Sequence, residues 1–364
     1  MQTALPRETT HRIRLGAVAI GGGAPVSVQT MANTDTRDAA ASAAQARACF
    51  DLGADVVRFA VPDAAAAAAL AAIKRALGPD RAIVADIHFD HRLALAALEA
   101  GVDGLRINPG NIGSAAKVRE VAAAAKDRGV PIRIGVNAGS LEKEVLARHG
   151  GATAEALVES ALGEIALLED AGFGDIKVSV KASDVPRMVA AYRLLSSKTR
   201  HPLHLGLTEA GTLLRGTVSS SVALGILLAE GIGDTIRVSL TDAPENEVRV
   251  GLAVLRSLGL REPGPDVTSC PTCGRTMCDL IGTARRVEDA LERLYREEPG
   301  LKKLHVAVMG CVVNGPGEAR DADLALVGGP GCFYLYRRGE RGEKFSEADA
   351  VPALVEAVRT EASR

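Results

Sequence analysis

The sequence predicts an α/β protein: a (β/α)8 TIM-type barrel over residues 1–260, followed by a smaller α+β domain over 261–364. Three observations carry this reading. In the first 245 residues a short Val/Ile/Leu-rich stretch, then an alanine-rich amphipathic segment, recurs eight times. Such alternation makes a parallel sheet with crossover helices, and eight units suit a closed barrel. The rhythm breaks at "REPGPDVTS" (261–269), where proline and glycine mark a boundary. Five of the six cysteines then lie beyond that break.

The strand candidates are 27–31, 55–61, 82–89, 104–110, 131–137, 176–182, 202–208 and 235–241. Helices are expected between them at 38–52, 64–77, 91–101, 114–128, 152–171, 184–198 and 218–231. A doubly wound open sheet is the rival architecture, but no G-x-G-x-x-G follows the first strand. The "GGG" at 21–23 precedes that strand and reads as a turn. Beyond the boundary the pattern predicts a helix (284–298), strands at 304–310, 322–329 and 332–339, and a final helix (346–361).

The chain has 364 residues, enough for two domains and a large core. With 47% hydrophobic and 24% charged residues it reads as globular. A formal net charge of -2 offers no global basic excess for nucleic acid. The start, "MQTALPRETTHRIRLGAVAIGGGAPV", lacks the apolar core of a signal peptide, and the alanine run 64–72 is too short to span a bilayer. The expectation is a cytoplasmic protein with no membrane or nucleic-acid partner.

Strands buried on both faces should be almost wholly apolar. Here polar residues recur at a spacing of two, which sets them on one face: Asp86 and His88, Arg106 and Asn108, Arg133 and Asn137, Lys177, Ser179 and Lys181, Arg237 and Ser239, with Arg58 from the second strand. The intervening Ile87, Ile107, Val136, Val180 and Val238 are free to pack beneath helices. The polar set is expected in the barrel lumen near its C-terminal mouth. Rim charges paired with neighbours are the bland explanation, but like charges converging on one mouth are costly without an anion. Arginine forks suit phosphate oxygens, so a small phosphorylated substrate follows. Asp86, His88, His204 and Glu209 are candidates for binding hydroxyls or moving protons.

"SCPTCGRTMC" holds a C-x-x-C, Cys270 and Cys273, that presents two thiolates to one metal or cluster. No second C-x-x-C follows, as a zinc ribbon would require, and no strand-to-helix setting suggests a thioredoxin-type pair. Cys311, in "MGCVVNGPGEA", adds a third thiolate. Three thiolates and one different ligand suit an iron–sulfur cluster with one distinct iron. The residues alone leave Cys278, Cys332 and Glu318 as candidates for the fourth position. The main rival is a barrel lyase or aldolase for a sugar phosphate with a structural zinc. A non-enzymatic iron–sulfur carrier leaves the polar barrel face unexplained.

"SCPTCGRT" with "MGCVVNGPGEA" resembles the cluster signature of the 4-hydroxy-3-methylbut-2-enyl diphosphate synthase family, iron–sulfur enzymes of the non-mevalonate isoprenoid pathway. "VRFAVP", "ADIHF", "LRINPGNIG", "IRIGVNAGSL", "VSVKASD", "LHLGLTEAG" and "IRVSLTDAP" resemble its barrel segments, in the bacterial two-domain form without a middle domain. The resemblance implies a [4Fe–4S] cluster held by Cys270, Cys273, Cys311 and Glu318 in the C-terminal, iron–sulfur domain. It implies two-electron reductive opening and dehydration of 2-C-methyl-D-erythritol 2,4-cyclodiphosphate, with flavodoxin or ferredoxin as electron donor. By the same resemblance Arg58, Arg106, Arg133 and Lys181 grip the diphosphate, with Asn108, Asn137, Arg237 and Ser239 around it. Asp86 and His88 fall in the family's "ADIHF" segment, Glu209 is similar to its proton donor, and Glu318 is the exchangeable ligand. The family also implies a head-to-tail homodimer in which one subunit's cluster closes over its partner's barrel.

Overall fold

The structure, a computed structural model, describes residues 6–262, 264–313 and 315–363, without the side chains of Ser140 and Glu318. Its contacts divide the chain into two compact units, Met1–Arg261 and Glu262–Arg364.

A hairpin of β1 (Ile13–Leu15) and β2 (Val18–Ile20) opens the first unit. Eight parallel strands follow: β3 (Ser27–Met31), β4 (Val56–Ala60), β5 (Ala82–Asp86), β6 (Gly104–Ile107), β7 (Ile132–Asn137), β8 (Ile176–Lys181), β9 (His204–Leu205) and β10 (Thr235–Ile236). They pair in the order β8-β7-β6-β5-β4-β3-β10-β9. A bridge between Val178 and Leu203 joins the two ends, so the sheet closes into a barrel. Helices on its outside include Ala39–Asp51, Ala64–Leu77, His91–Glu99, Ala115–Asp127, Ala154–Glu169, Val185–Ser196, Leu213–Ala229 and Pro244–Ser257. Asp38, Asp63, Asp90, Thr153 and Asp184 cap five of these by accepting a backbone N–H of the first turn.

The outward strand positions Ile87, Ile107, Val136, Val180 and Val238 are buried in one apolar core with the helices, which is why these segments form strands despite their polar neighbours. At the N-terminal end of the lumen the inward residues Val56, Ala82 and Val84 pack against Ile13, Leu15 and Ile20 of the hairpin. The hairpin therefore seals the barrel floor. Closure is reinforced by Tyr192, whose buried hydroxyl donates to His204 O at 2.5 Å and accepts from Val180 N at 3.3 Å.

The hairpin and the helices Lys143–His149 and Pro244–Ser257 were not anticipated from the sequence. Strands β9 and β10 are shorter than expected because the backbone bends away, although single bonds such as Arg237 N to Leu205 O (2.9 Å) and Thr208 N to Ala182 O (3.1 Å) continue the pairing. The glycines at 21–23 form the expected turn, all three with positive φ.

The second unit holds a mixed sheet of β11 (Asp266–Ser269), β12 (His305–Met309), β13 (Leu324–Gly329), β14 (Cys332–Arg337) and β15 (Glu340–Ser346), in that order. Helices Leu280–Glu297 and Ala350–Ala362 pack their apolar residues on it. β11 occupies a stretch read from the sequence as linker, and β15 one left without an element. Both are edge strands with mostly exposed polar side chains, so neither carries a hydrophobic alternation. Among the described residues no helix is long and apolar enough to cross a membrane.

Replacing Tyr192 with Phe removes the hydroxyl that ties β8 to β9 and leaves buried backbone groups unpaired. Chemical denaturation should show a loss of about 1–3 kcal/mol.

Candidate active site and metal centre

The inward positions of the barrel strands change character along their length. Val56 is followed by Arg58, Val84 by Asp86, and Gly104 by Arg106, so on these three strands charge appears toward the C-terminal mouth. There Arg58, Asp86, His88, Arg106, Arg133, Asn137, Lys181, Arg237 and Ser239 line one pocket of about 210 Å³, joined by Thr208. Of the barrel residues singled out in the sequence, Asn108, Lys177, Ser179, His204 and Glu209 do not line it. The Asn108 side-chain Oδ1 instead accepts from Asn111 N at 3.1 Å, capping the turn Pro109–Ile112. Glu209 is exposed beside Thr208 with φ of 54°, a left-handed conformation that is costly for a non-glycine residue.

Asp86 organises the cations. Its carboxylate lies 3.2 Å from Arg106 Nη1 and 3.6 Å from both Arg58 Nε and His88 Nε2. Burial opposes its charge, but Arg58, the His88 hydrogen bond and Arg106 together hold its carboxyl well below the usual range. Arg106 also donates to Gly135 O at 3.1 Å, and Arg133 donates to the Ser179 hydroxyl at 2.5 Å. Arg237 is held by a residue that sequence reasoning missed. Glu247, on helix Pro244–Ser257, accepts from Arg237 Nη2 at 3.1 Å, from the Thr30 hydroxyl at 2.8 Å and from Leu240 N at 3.0 Å. Its position on an outer helix gave no inward-facing pattern to read.

Burial and mutual repulsion act on the cations. Desolvation, opposed by Asp86, brings Arg58 down to about 10, and desolvation with Arg58 and Arg106 pushes Arg133 well down. Lys181 falls well below the usual lysine range through burial and the neighbouring Arg237, Arg133 and Arg58. Five basic side chains face two carboxylates, so basic groups outnumber acidic ones in the pocket.

Two glycines make the close packing possible. A Cβ on Gly135 would sit 2.6 Å from Arg106 Nε, and one on Gly206 would sit 2.4 Å from Arg237 O and 3.1 Å from Lys181 Nζ. These inward glycines, in "IRIGVN" and "LHLGLT", are a signal that sequence reasoning left unused.

In the second unit Cys270 follows β11, and its amide donates to Val308 O at 3.2 Å. The Gly310 amide in turn donates to the Cys270 sulfur at 3.4 Å, next to the buried Cys311. Met277 N donates to Gly310 O at 3.3 Å, which ties the C-x-x-C loop to the Cys311 loop. Gly310 allows this approach, because a Cβ there would lie 2.9 Å from Leu280 Cδ2. Cys273 is exposed, in a turn where Thr272 has φ of 64°. Among the described residues no three His, Cys, Asp or Glu side chains close on a single point. Glu318 ends the short helical turn Gly315–Glu318, and its side chain lies outside the described residues. Cys278 donates weakly to Gly310 O at 3.7 Å, and burial with Glu347 raises its thiol to about 11. Cys332 is buried at the start of β14. Soft thiolates from two tied loops, one bearing an amide aimed at sulfur, fit an iron–sulfur group.

The sequence matches the family descriptions "GcpE TIM-barrel domain" over residues 10–252 and "GcpE protein C-terminal domain" over residues 266–360. A Geobacter sulfurreducens protein is 58% identical over 95% of this chain and 96% of its own length. One from Maridesulfovibrio salexigens is 56% identical over 92% and 91%, and one from Ruminiclostridium cellulolyticum 49% over 98% and 99%. All three carry the name 4-hydroxy-3-methylbut-2-en-1-yl diphosphate synthase (flavodoxin).

Replacing Gly135 with Ala should displace the Arg106 guanidinium from Gly135 O. Pyrophosphate affinity measured by calorimetry should fall about tenfold, the loss of one charged hydrogen bond.

Proposed function

The chain belongs to the GcpE family, and on that premise we propose that it performs the reaction its relatives are named for. It reduces 2-C-methyl-D-erythritol 2,4-cyclodiphosphate with two electrons, opening the ring and expelling a hydroxyl as water, to give 4-hydroxy-3-methylbut-2-enyl diphosphate. The observation that carries this reading is the convergence of five cations on one barrel mouth whose floor is sealed.

Arg58, Arg106, Arg133, Lys181 and Arg237 bind the diphosphate oxygens, the arginines as forks and the lysine as a point charge. Asp86 and Glu247 keep three of those guanidinium groups aimed before substrate arrives, so little ordering remains to be done on binding. Thr208, Ser239 and Asn137 offer hydrogen bonds to the hydroxyls and bridging oxygens, with Asn108 behind them. His88, half exposed over Asp86 and Arg106, stands where substrate enters. The Glu209 carboxyl protonates the departing hydroxyl oxygen. Cys270, Cys273, Cys311 and Glu318 hold a [4Fe–4S] cluster, which when bound supplies the electrons singly and a Lewis-acidic iron. Glu318 is its hard, exchangeable ligand.

The electron donor is flavodoxin, the donor in the relatives' names, or ferredoxin, and the protein is cytoplasmic. It works as a homodimer in which one subunit's cluster serves its partner's barrel. Two exposed apolar surfaces support that assembly. Leu214, Val218, Val222 and Ile226 form a stripe at a spacing of four along helix Leu213–Ala229, with Leu214 79% exposed. Met277, Ile281, Val312 and Val313 are exposed around the cysteine loops.

Anaerobically purified protein should be brown, carry about four irons per chain, and convert the cyclic diphosphate when given reduced flavodoxin. A colourless zinc protein, or an iron–sulfur protein that leaves this substrate intact, overturns the reading. Cys278→Ser and Cys332→Ser should keep their iron. Glu318→Ala should lose activity, and full activity with an intact cluster would remove Glu318 from the ligand set. Val218→Asp with Val222→Asp should shift sedimentation toward monomer.

A further inference from the structure

Beneath the mouth pocket the lumen holds polar groups that the proposed reaction does not use. Lys177 on β8, Gln29 on β3 and His204 on β9 are 2%, 1% and 0% exposed. Lys177 Nζ, both amide atoms of Gln29 and both ring nitrogens of His204 have no hydrogen-bond partner among the described residues. Lys177 and Gln29 share an interior space with Arg133, and Arg133 also lines the mouth pocket. Arg133 is therefore the residue common to both.

The charges around Lys177 come from several strands. Arg133 faces it from β7 and Arg58 from β4, with His204 on β9 and Lys181 further along β8. Asp234, just before β10, is the one anion acting on it, and its oxygens already accept from Leu203 N at 2.8 Å and the Thr10 hydroxyl at 2.9 Å. Asp86 and Glu247 are engaged with the arginines above. A buried ammonium without a partner, among like charges, is strongly disfavoured. Arginine does not yield its proton, so lysine and histidine relieve the crowding. Burial first, then Arg133, brings Lys177 down to about 7 against the pull of Asp234, and burial with Arg133 and Lys181 takes His204 well below its usual value.

We propose that Lys177 is a substrate-gated proton site: its amine is only partly charged while the pocket is empty and takes up a proton when a diphosphate settles on the cations above it. The inference rests on the diphosphate reading of the pocket. Two negative charges on the far side of Arg133 offset the repulsion that kept Lys177 neutral. By linkage, the proton strengthens diphosphate binding to the same degree. The reaction gives this a use. Opening the cyclic diphosphate consumes two electrons and a net proton, releases water, and leaves a product one charge more negative than its substrate. A protonated Lys177 then helps to balance that charge.

Calorimetry of the cluster-loaded protein with the cyclic diphosphate, without reductant, in buffers of different ionisation enthalpy counts the protons exchanged. Both phosphates of this ligand are fully ionised far below neutrality, so every proton counted enters the protein. Uptake of about half a proton per site is expected at pH 7, with affinity falling up to tenfold for each pH unit above it. Lys177→Met and Lys177→Arg, the first without the titrating group and the second with a fixed charge, should take up about half a proton less than the unmodified protein, any remainder coming from Lys181 in the pocket itself. Binding without uptake in the unmodified protein overturns the proton site while the diphosphate reading stands, and does so even if neither variant folds. Uptake that is undiminished in Lys177→Arg overturns it as well. Failure to bind at all overturns both.

Discussion

The crowding of like charge inside the barrel is the constraint on which the rest depends. Five cations at one mouth are tolerable only because Asp86 and Glu247 neutralise part of the charge and hold the guanidinium groups in place. Uncompensated buried charges cost several kcal/mol each, so this arrangement is a poor way to stabilise a fold. It is a good way to recognise an anion, because the missing counter-charge is then supplied by the ligand. The downward pull on Lys177 and Lys181 is the same constraint seen from the side of the protons.

The barrel sustains that cost by dividing its lumen. The N-terminal floor is an apolar cluster built around the hairpin, with Leu15 packed so closely that a Cβ on Gly104 would sit 3.0 Å from it. Low-dielectric surroundings of this kind strengthen the field of the cations above them. Around the outside a continuous apolar core joins strands and helices and supplies the stability that the lumen consumes. The second unit repeats the logic on a smaller scale. A compact sheet and two helices carry two loops, and Gly310 leaves room for the Leu280 and Thr276 side chains where its amide reaches the Cys270 sulfur.

Much of this was legible in the sequence. Positions such as Ile107 and Val136 beside Arg106 and Asn137 reveal a strand with one packed and one polar face, and the spacing of two needs no tertiary information. Eight repeats of that pattern imply closure. The cysteine motifs likewise declare soft-metal chemistry by residue type and spacing alone. Edge strands β11 and β15 were illegible because their side chains face solvent and carry no alternation. Glu247 was illegible because it reaches the pocket from a helix on the outside of the barrel, through a contact between residues ten apart with no shared periodicity.

The sequence by itself therefore determined the fold class, the inward face and the kind of chemistry each unit carries, because those follow from local periodicity and donor type. Only the tertiary structure decided which of the cations are paired and which are strained. It set Arg106 against Gly135 and Arg237 against Glu247, turned Asn108 to a helix cap, and left Lys177 without an acceptor. Those outcomes depend on distances between separate strands, and a hydrogen bond or a desolvation cost is fixed by such distances rather than by the order of residues along the chain.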